Sequence, residues 1–102
     1  MEYEKIRIYG DGDEYFDINI GFILQDANSG EQNKARWGLH ITQEIIKIRQ
    51  LLQQQDVLKR LGRDPDLEAL IGEPLHNDQI RLYQESLKGL EWLHKKMYGR
   101  DA

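Results

Sequence analysis

The sequence predicts an α+β fold: an N-terminal antiparallel β-hairpin packed on a long central helix, then a short connecting helix and a long C-terminal helix antiparallel to the central one. Three features predict it. Two alternating segments flank a Gly-Asp turn near the N-terminus, and helical apolar spacing follows over residues 29–61 and again over residues 78–98. We expect the 102 residues to form a single domain, because smaller pieces would lack a core.

The predicted hairpin spans residues 3–25. Its first strand alternates around Ile6 and Ile8, and the Gly-Asp-Gly-Asp segment at residues 10–13 is a turn signal. The second strand alternates for ten residues, with an apolar row of Phe16, Ile18, Ile20, Phe22 and Leu24. This pattern is typical of a half-buried antiparallel strand. In the outward rows we expect Lys5 and Arg7 to lie within reach of Asp17.

The central helix is predicted over residues 29–61, where Ser29 and Gln32 have the spacing of a capping box. Its apolar residues form two stripes on nearly opposite sides: a first stripe of Trp37, Ile41, Ile45, Ile48 and Leu52, and a second stripe of Ala35, Leu39, Ile46, Val57 and Leu61. A helix that is apolar on two sides needs cover on both. We expect the hairpin to cover one stripe and the last helix to cover part of the other. The apolar surface that is left predicts a homodimer, formed through the long helices or by sheet extension across a two-fold axis.

One alternative stays open at the start of this helix. Glycine inside a helix costs on the order of 1 kcal/mol relative to alanine, so Gly38 is also consistent with a third strand over residues 32–37 and a helix that starts near Leu39.

The remaining elements follow from start and stop signals. Gly62 ends the central helix, and Asp64-Pro65-Asp66 supplies an N-cap, a first-turn proline and a first-turn acid for a short helix over residues 65–71. Pro74 prevents the short helix and the last helix from forming one continuous helix. The last helix is predicted over residues 78–98 with Gly99 as its stop.

Composition excludes several classes of protein. The chain is 39% hydrophobic and 31% charged with net charge −4, which fits a globular protein and argues against nucleic acid as a partner. No cysteine is present, so disulfides and thiolate ligands are excluded. No apolar run reaches the ~20 residues of a membrane span. We expect a cytoplasmic protein from a bacterium, phage or similar source.

The sequence predicts no catalytic residue, no metal ligand and no cofactor. Ser29, Ser86 and Thr42 fit no nucleophile turn. The three histidines lack metal-site spacing, and His40 with Glu44 supplies only two ligands. We therefore expect no enzyme. An enzyme with paired carboxylates stays open as a third hypothesis, because the distance between two carboxylates cannot be read from a sequence.

One candidate binding cluster lies early in the central helix. Lys34, Arg36, Trp37 and His40 combine cations with an aromatic ring, which suits a nucleotide or another small anionic ligand. In the competing interpretation Trp37 belongs to the core and Arg36 to the solvated surface.

A second candidate is Trp92, which the helical spacing directs away from the apolar face of the last helix, among Arg81 and Lys88. Tryptophan is enriched at the centres of protein interfaces, so these three residues form a candidate partner contact. In the alternative interpretation, Trp92 packs under the short helix.

The leading functional hypothesis is a non-enzymatic regulatory protein that forms a homodimer and binds or inhibits another macromolecule, as immunity proteins and phage counter-defence proteins do. The analogy concerns the class of protein and not a particular family. The alternative is a binder of a nucleotide or small molecule, with its site at the dimer interface around Lys34, Arg36, Trp37 and His40.

Overall fold

The computed structural model describes residues 3–10, 14–61, 66, 69 and 74–99. Along these residues the elements are β1 (Lys5–Tyr9), β2 (Tyr15–Asn19), α1 (Ile20–Ala27), α2 (Glu31–Leu61) and α3 (Asn77–Tyr98). The predicted α+β class is confirmed. Most of the short helix predicted over residues 65–71, and most of the predicted turn, lie outside the described residues.

β1 and β2 form the hairpin. They pair antiparallel with Ile6 opposite Ile18 and Arg7 opposite Asp17. The Arg7 Nε donates a hydrogen bond to the Asp17 carboxylate at 3.0 Å, and the guanidinium lies 3.9 Å from the ring centroid of Tyr15. The hydrogen bond to Asp17 raises the pKa of Arg7 above its ordinary value. The pairing predicted for Arg7 is therefore present.

The predicted second strand is too long, and its continuation to residue 25 is wrong. Residues 20–27 form helix α1, whose start is capped by the Asn19 side chain accepting a hydrogen bond from the Gly21 N–H at 2.8 Å. Its buried residues Ile20, Ile23 and Ala27 are three and four apart. Over so short a segment the spacing of apolar residues fits both a strand and a helix. The asparagine cap is the feature that favours the helix.

α2 is one continuous helix from Glu31 to Leu61, so the alternative strand over residues 32–37 is not adopted. The predicted Ser29 cap is wrong. The Ser29 hydroxyl instead donates to the Asp26 carbonyl at 2.6 Å, and the helical bonding begins with the Lys34 N–H donating to the Gly30 carbonyl.

α3 runs antiparallel to α2, as the order of their contacts shows. Its end lies beside the beginning of α2, where Tyr98 donates a hydrogen bond to the Lys34 carbonyl at 3.2 Å. Further along, Glu91 lies 3.6 Å from Arg49. The stop predicted at Gly99 has φ 69°, and its N–H donates to the Lys95 carbonyl.

The core forms around the first stripe of α2. Its fully buried members Ile41, Ile45 and Ile48 are joined by residues from β1, α1 and α3: Ile6, Ile8, Ile20, Ile23, Leu90 and Leu93. The hairpin, α1 and α3 therefore all converge on one side of α2.

The expectation that the last helix covers part of the second stripe is wrong, because α3 packs on the first stripe instead. Leu39, Ile46 and Val57 are 62%, 49% and 36% exposed, and Ala35 is exposed as well. The second stripe therefore faces outward in this chain, apart from Leu61, whose side chain is not described.

Candidate functional site

An open apolar hollow lies between β2 and the first half of α2. Its volume is about 390 Å³, and its lining residues are Phe16, Ile18, Arg36, Trp37, Leu39, His40 and Gln43. We call it the α2 hollow. Volumes of this size are typical of small-ligand pockets, but Phe16 and Leu39 are both more than half exposed. The hollow is therefore a shallow recess rather than an enclosed cavity.

The geometry of two elements produces the hollow. Arg36, Leu39, His40 and Gln43 are three or four positions apart and so lie on neighbouring parts of one helix face. The opposite wall comes from Phe16 on β2. Because α3 packs against β1, the inner row of β2 is left largely uncovered: Phe16 is exposed and Ile18 only partly buried.

Trp37 forms the fixed base of the hollow. Its Nε1–H donates a hydrogen bond to the Asp26 carboxylate at 2.7 Å. Two rings meet it nearly edge-on: Phe22 at a centroid distance of 6.4 Å and His40 at 6.2 Å. Edge-to-face pairs of this kind are attractive. The indole is therefore held on several sides, and its only polar atom is already used.

Among the described residues, the ionisable groups that line the hollow are Arg36 and His40, and no carboxylate of that set lines it. Arg36 is exposed and has no ion-pair partner within the described part of the chain. In a protein of net charge −4, this is a locally cationic and apolar surface. Such a surface attracts a group that is apolar and carries negative charge beside it.

The structure brings together three of the four residues in the first predicted cluster. Arg36, Trp37 and His40 line the hollow, but Lys34 does not. The Lys34 ammonium lies on the α3 side of the helix, 5.4 Å from the ring centroid of Tyr98. A two-residue offset from Arg36 turns Lys34 by about 200° around the helix.

Four lining residues were missed as site residues: Phe16, Ile18, Leu39 and Gln43. Leu39 had a signal in the sequence, since it belongs to the second stripe. Phe16 and Ile18 had none, because their place in the hollow depends on where β2 lies against α2.

The second predicted cluster differs from expectation at Trp92. This side chain is partly buried against the core, and its ring lies 5.6 Å from that of Tyr3. Residues before β1 thus cover a face of α3 that the helical spacing left open. Arg81 forms an i,i+3 ion pair with Asp78 at 3.2 Å, and Lys88 is exposed.

Glu44 is the buried polar residue nearest to the hollow along α2, and its partners are structural. Its carboxylate accepts a hydrogen bond from Lys47 at 2.7 Å and lies 3.5 Å from the Tyr9 N–H, while Lys47 also donates to the Tyr9 carbonyl at 2.6 Å. These bonds join α2 to β1. The His40 and Glu44 pair is therefore not a free pair of ligands.

Among the described residues no three His, Asp or Glu side chains lie close enough together to bind one metal ion. No helix in that part of the chain combines the length and the apolar composition required to cross a membrane.

The chain shows no significant match to any protein-family model, to any curated protein sequence or to any solved structure.

Proposed function

We propose that this chain is a non-enzymatic interaction protein of the cytoplasm that forms a homodimer and binds or inhibits another protein through the α2 hollow. The observation that supports this proposal is the exposed apolar lining of the hollow beside Arg36, which has no ion-pair partner among the described residues. The absence of cysteine is consistent with a reducing compartment. Immunity proteins and phage counter-defence proteins are comparable classes.

The apolar lining of the hollow favours contact with a partner. Phe16, Phe22 and Leu39 are each more than half exposed and lie in or beside the hollow. Burying apolar surface contributes about 25 cal/mol per Å², and contiguous exposed apolar patches mark interaction sites. A water-exposed patch of this kind gains free energy when a partner covers it.

The open shape favours a protein partner over a small ligand. A small-molecule site typically encloses about 70–90% of its ligand, which a recess with two half-exposed walls does not. A protein partner can insert one side chain and cover the rim with its own surface. The expected partner segment places a large apolar side chain against Phe16 and a carboxylate beside Arg36.

Selection from a displayed random-peptide library tests this proposal. We expect the wild-type chain to enrich peptides that carry an aromatic or large aliphatic residue within a few positions of Asp or Glu. Binding of those peptides should fall at least tenfold in Arg36→Glu and in Phe16→Ser. It should be unchanged in Leu82→Glu, which alters an exposed apolar residue of α3. Enrichment that is insensitive to both hollow variants would refute the proposal.

The alternative, a site for a nucleotide or small anion, is favoured by one observation: Arg36 and His40 lie in the same hollow as Trp37. Under this alternative, a saturating nucleotide raises the melting temperature, because a ligand at 100 times its Kd adds about 2.7 kcal/mol to the stability. Arg36→Ala should abolish that rise. Under the leading proposal a nucleotide panel leaves the melting temperature unchanged.

A further inference from the structure

A row of exposed residues runs along α2 with the spacing of a coiled-coil seam. Its members recur at alternating intervals of three and four positions and are all exposed: Arg36, Leu39, Gln43, Ile46, Gln50, Gln53, Val57 and Arg60. We call this row the α2 seam. An alternating three-four repeat keeps residues on one line along a helix when two helices wind around each other. The core of the chain lies on the other side of α2.

The α2 seam is free of charge between its ends. From Leu39 to Val57 it consists of three apolar residues and three glutamines, although 31% of the chain is charged. A helix face that meets only water has no reason to exclude lysine and glutamate. Charged residues do occur just beside the seam, at Lys47 and Arg49. Exclusion of charge from the centre of the face indicates that the face becomes buried.

From this face we infer that the α2 seam pairs with the same seam of a second copy of the chain, with the two α2 helices parallel about a two-fold axis. The inference rests on the homodimer in the proposed function and names its contact surface. A two-fold axis brings a surface against itself, so a charged seam would repel its copy and an uncharged one does not. Parallel pairing also sets Leu39 against Leu39 and each glutamine amide against an identical amide, which can both donate and accept.

The order of residues along the seam determines the orientation. An antiparallel arrangement that sets Leu39 against Val57 of the second copy has its axis at residue 48 and sets Ile46 against Gln50. An amide buried against an aliphatic side chain loses its hydrogen bonds to water, which is costly. The parallel arrangement instead sets apolar residues against apolar residues and amides against amides. The arginines at the two ends of the seam face arginine in either arrangement and favour neither.

The size of the seam sets the strength of the pair. A helix of 31 residues is about 46 Å long and about 10 Å wide, which gives a footprint of roughly 450 Å² per copy. The total of roughly 900 Å² lies below the ~1,200–2,000 Å² of stable complexes. Glutamine at a seam position also lowers stability while it fixes the register. We therefore expect a dimer that dissociates in the micromolar range.

Pairing through the seam also affects the hollow, since Arg36, Leu39 and Gln43 belong to both surfaces. The second copy would cover Leu39 from the seam side and leave Phe16 open. Each hollow would then lie at the edge of the dimer contact, with its wall completed by the second copy.

Sedimentation of the full chain from low to high micromolar concentration tests the contact surface. Wild type should shift from monomer to dimer, and Ile46→Glu should remain a monomer over the same range. Leu82→Glu is the matched control, because Leu82 is 46% exposed but lies on α3. It should dimerise like wild type. Both variants change exposed residues. At concentrations where wild type is monomeric, their circular dichroism and melting temperatures should match those of wild type.

Cysteine cross-linking tests the orientation, and the chain contains no cysteine of its own. Parallel pairing brings the two copies of Leu39→Cys within the ~5.5 Å Cα separation of a disulfide. The alternative antiparallel register separates them by about 27 Å. We expect Leu39→Cys to form a covalent dimer on mild oxidation, and Ile46→Glu in the same chain to prevent it. Leu82→Cys should stay monomeric.

Failure of this inference can be distinguished from failure of the proposed function. A wild-type monomer at every concentration overturns the inference together with the homodimer in the proposed function, while peptide binding at the hollow can still hold. A dimer that survives Ile46→Glu overturns the inference alone. A disulfide that forms only between Leu39→Cys and Val57→Cys chains also overturns it, in favour of antiparallel pairing.

Discussion

The side chain of Tyr98 occupies the space that a Cβ atom on Gly38 would need. Tyr98 is the last residue of α3, and its hydroxyl donates a hydrogen bond to the Lys34 carbonyl, one turn before Gly38 on α2. Its ring also lies 4.8 Å from that of His94. The glycine that weakens α2 as an isolated helix therefore permits the end of α3 to pack closely on it.

Gly38→Ala should destabilise the protein by about 1–3 kcal/mol, because overpacking displaces the Tyr98 ring and breaks its hydrogen bond. Chemical denaturation measures the change. In a Tyr98→Ala background the same substitution should instead stabilise by up to about 1 kcal/mol, since alanine is the better helix former. An equal loss in both backgrounds would show that Tyr98 is not the cause.

Ile45 and Ile46 are neighbours in sequence with opposite environments, 1% and 49% exposed. Ile45→Ala should cost about 2–5 kcal/mol, because it opens a cavity in the core. Ile46→Ala should change the unfolding free energy by no more than about 0.5 kcal/mol when measured at a concentration where the chain is monomeric. Comparable losses at the two positions would contradict the burial of the first stripe alone.

The hydrogen bond between Trp37 and Asp26 fixes the base of the hollow. Asp26→Ala should cost about 1–2 kcal/mol, because the partly buried indole N–H loses a charged acceptor. Asp26→Asn keeps an oxygen acceptor and should cost less. The indole N–H resonance of Trp37 in an NMR spectrum should move in the alanine variant and hold nearly still in the asparagine variant. The reverse order would contradict this role for Asp26.

Trp92 packs on Tyr3 and the core, so Trp92→Ala should cost about 2 kcal/mol or more. Arg81→Ala and Lys88→Ala, on the exposed side of α3, should each cost no more than about 0.5 kcal/mol. Trp92→Phe keeps an aromatic contact with Tyr3 and is the suitable variant for partner binding. A Trp92→Ala protein as stable as wild type would restore Trp92 as an external contact.

Local patterns in the sequence were sufficient for most of the architecture. The two alternating segments predict the hairpin, and its outward rows predict the contact between Arg7 and Asp17. The apolar spacing of residues 29–61 outweighs the glycine at position 38 and predicts a single long helix. α1 was missed because Ile20 and Leu24 suit either period, and only the Asn19 cap indicates a helix.

Long-range packing was not predictable in the same way. The two-stripe pattern of α2 predicts that two surfaces need cover, but it does not say which elements supply it. Three elements share one stripe, and the other is left open. For the hollow, helical spacing alone places Arg36, Trp37 and His40 together. The opposite wall at Phe16 depends on a contact between β2 and α2 that no local pattern encodes.

Site-specific photo-cross-linking in the native host tests the hollow most directly. A benzophenone amino acid at position 16 should cross-link to one predominant host protein, at a segment that has an acidic residue beside a large apolar one. The same group at position 82 should not, and Arg36→Glu should abolish the cross-link at position 16. An identical cross-linking pattern at positions 16 and 82, or none at either, would contradict the account.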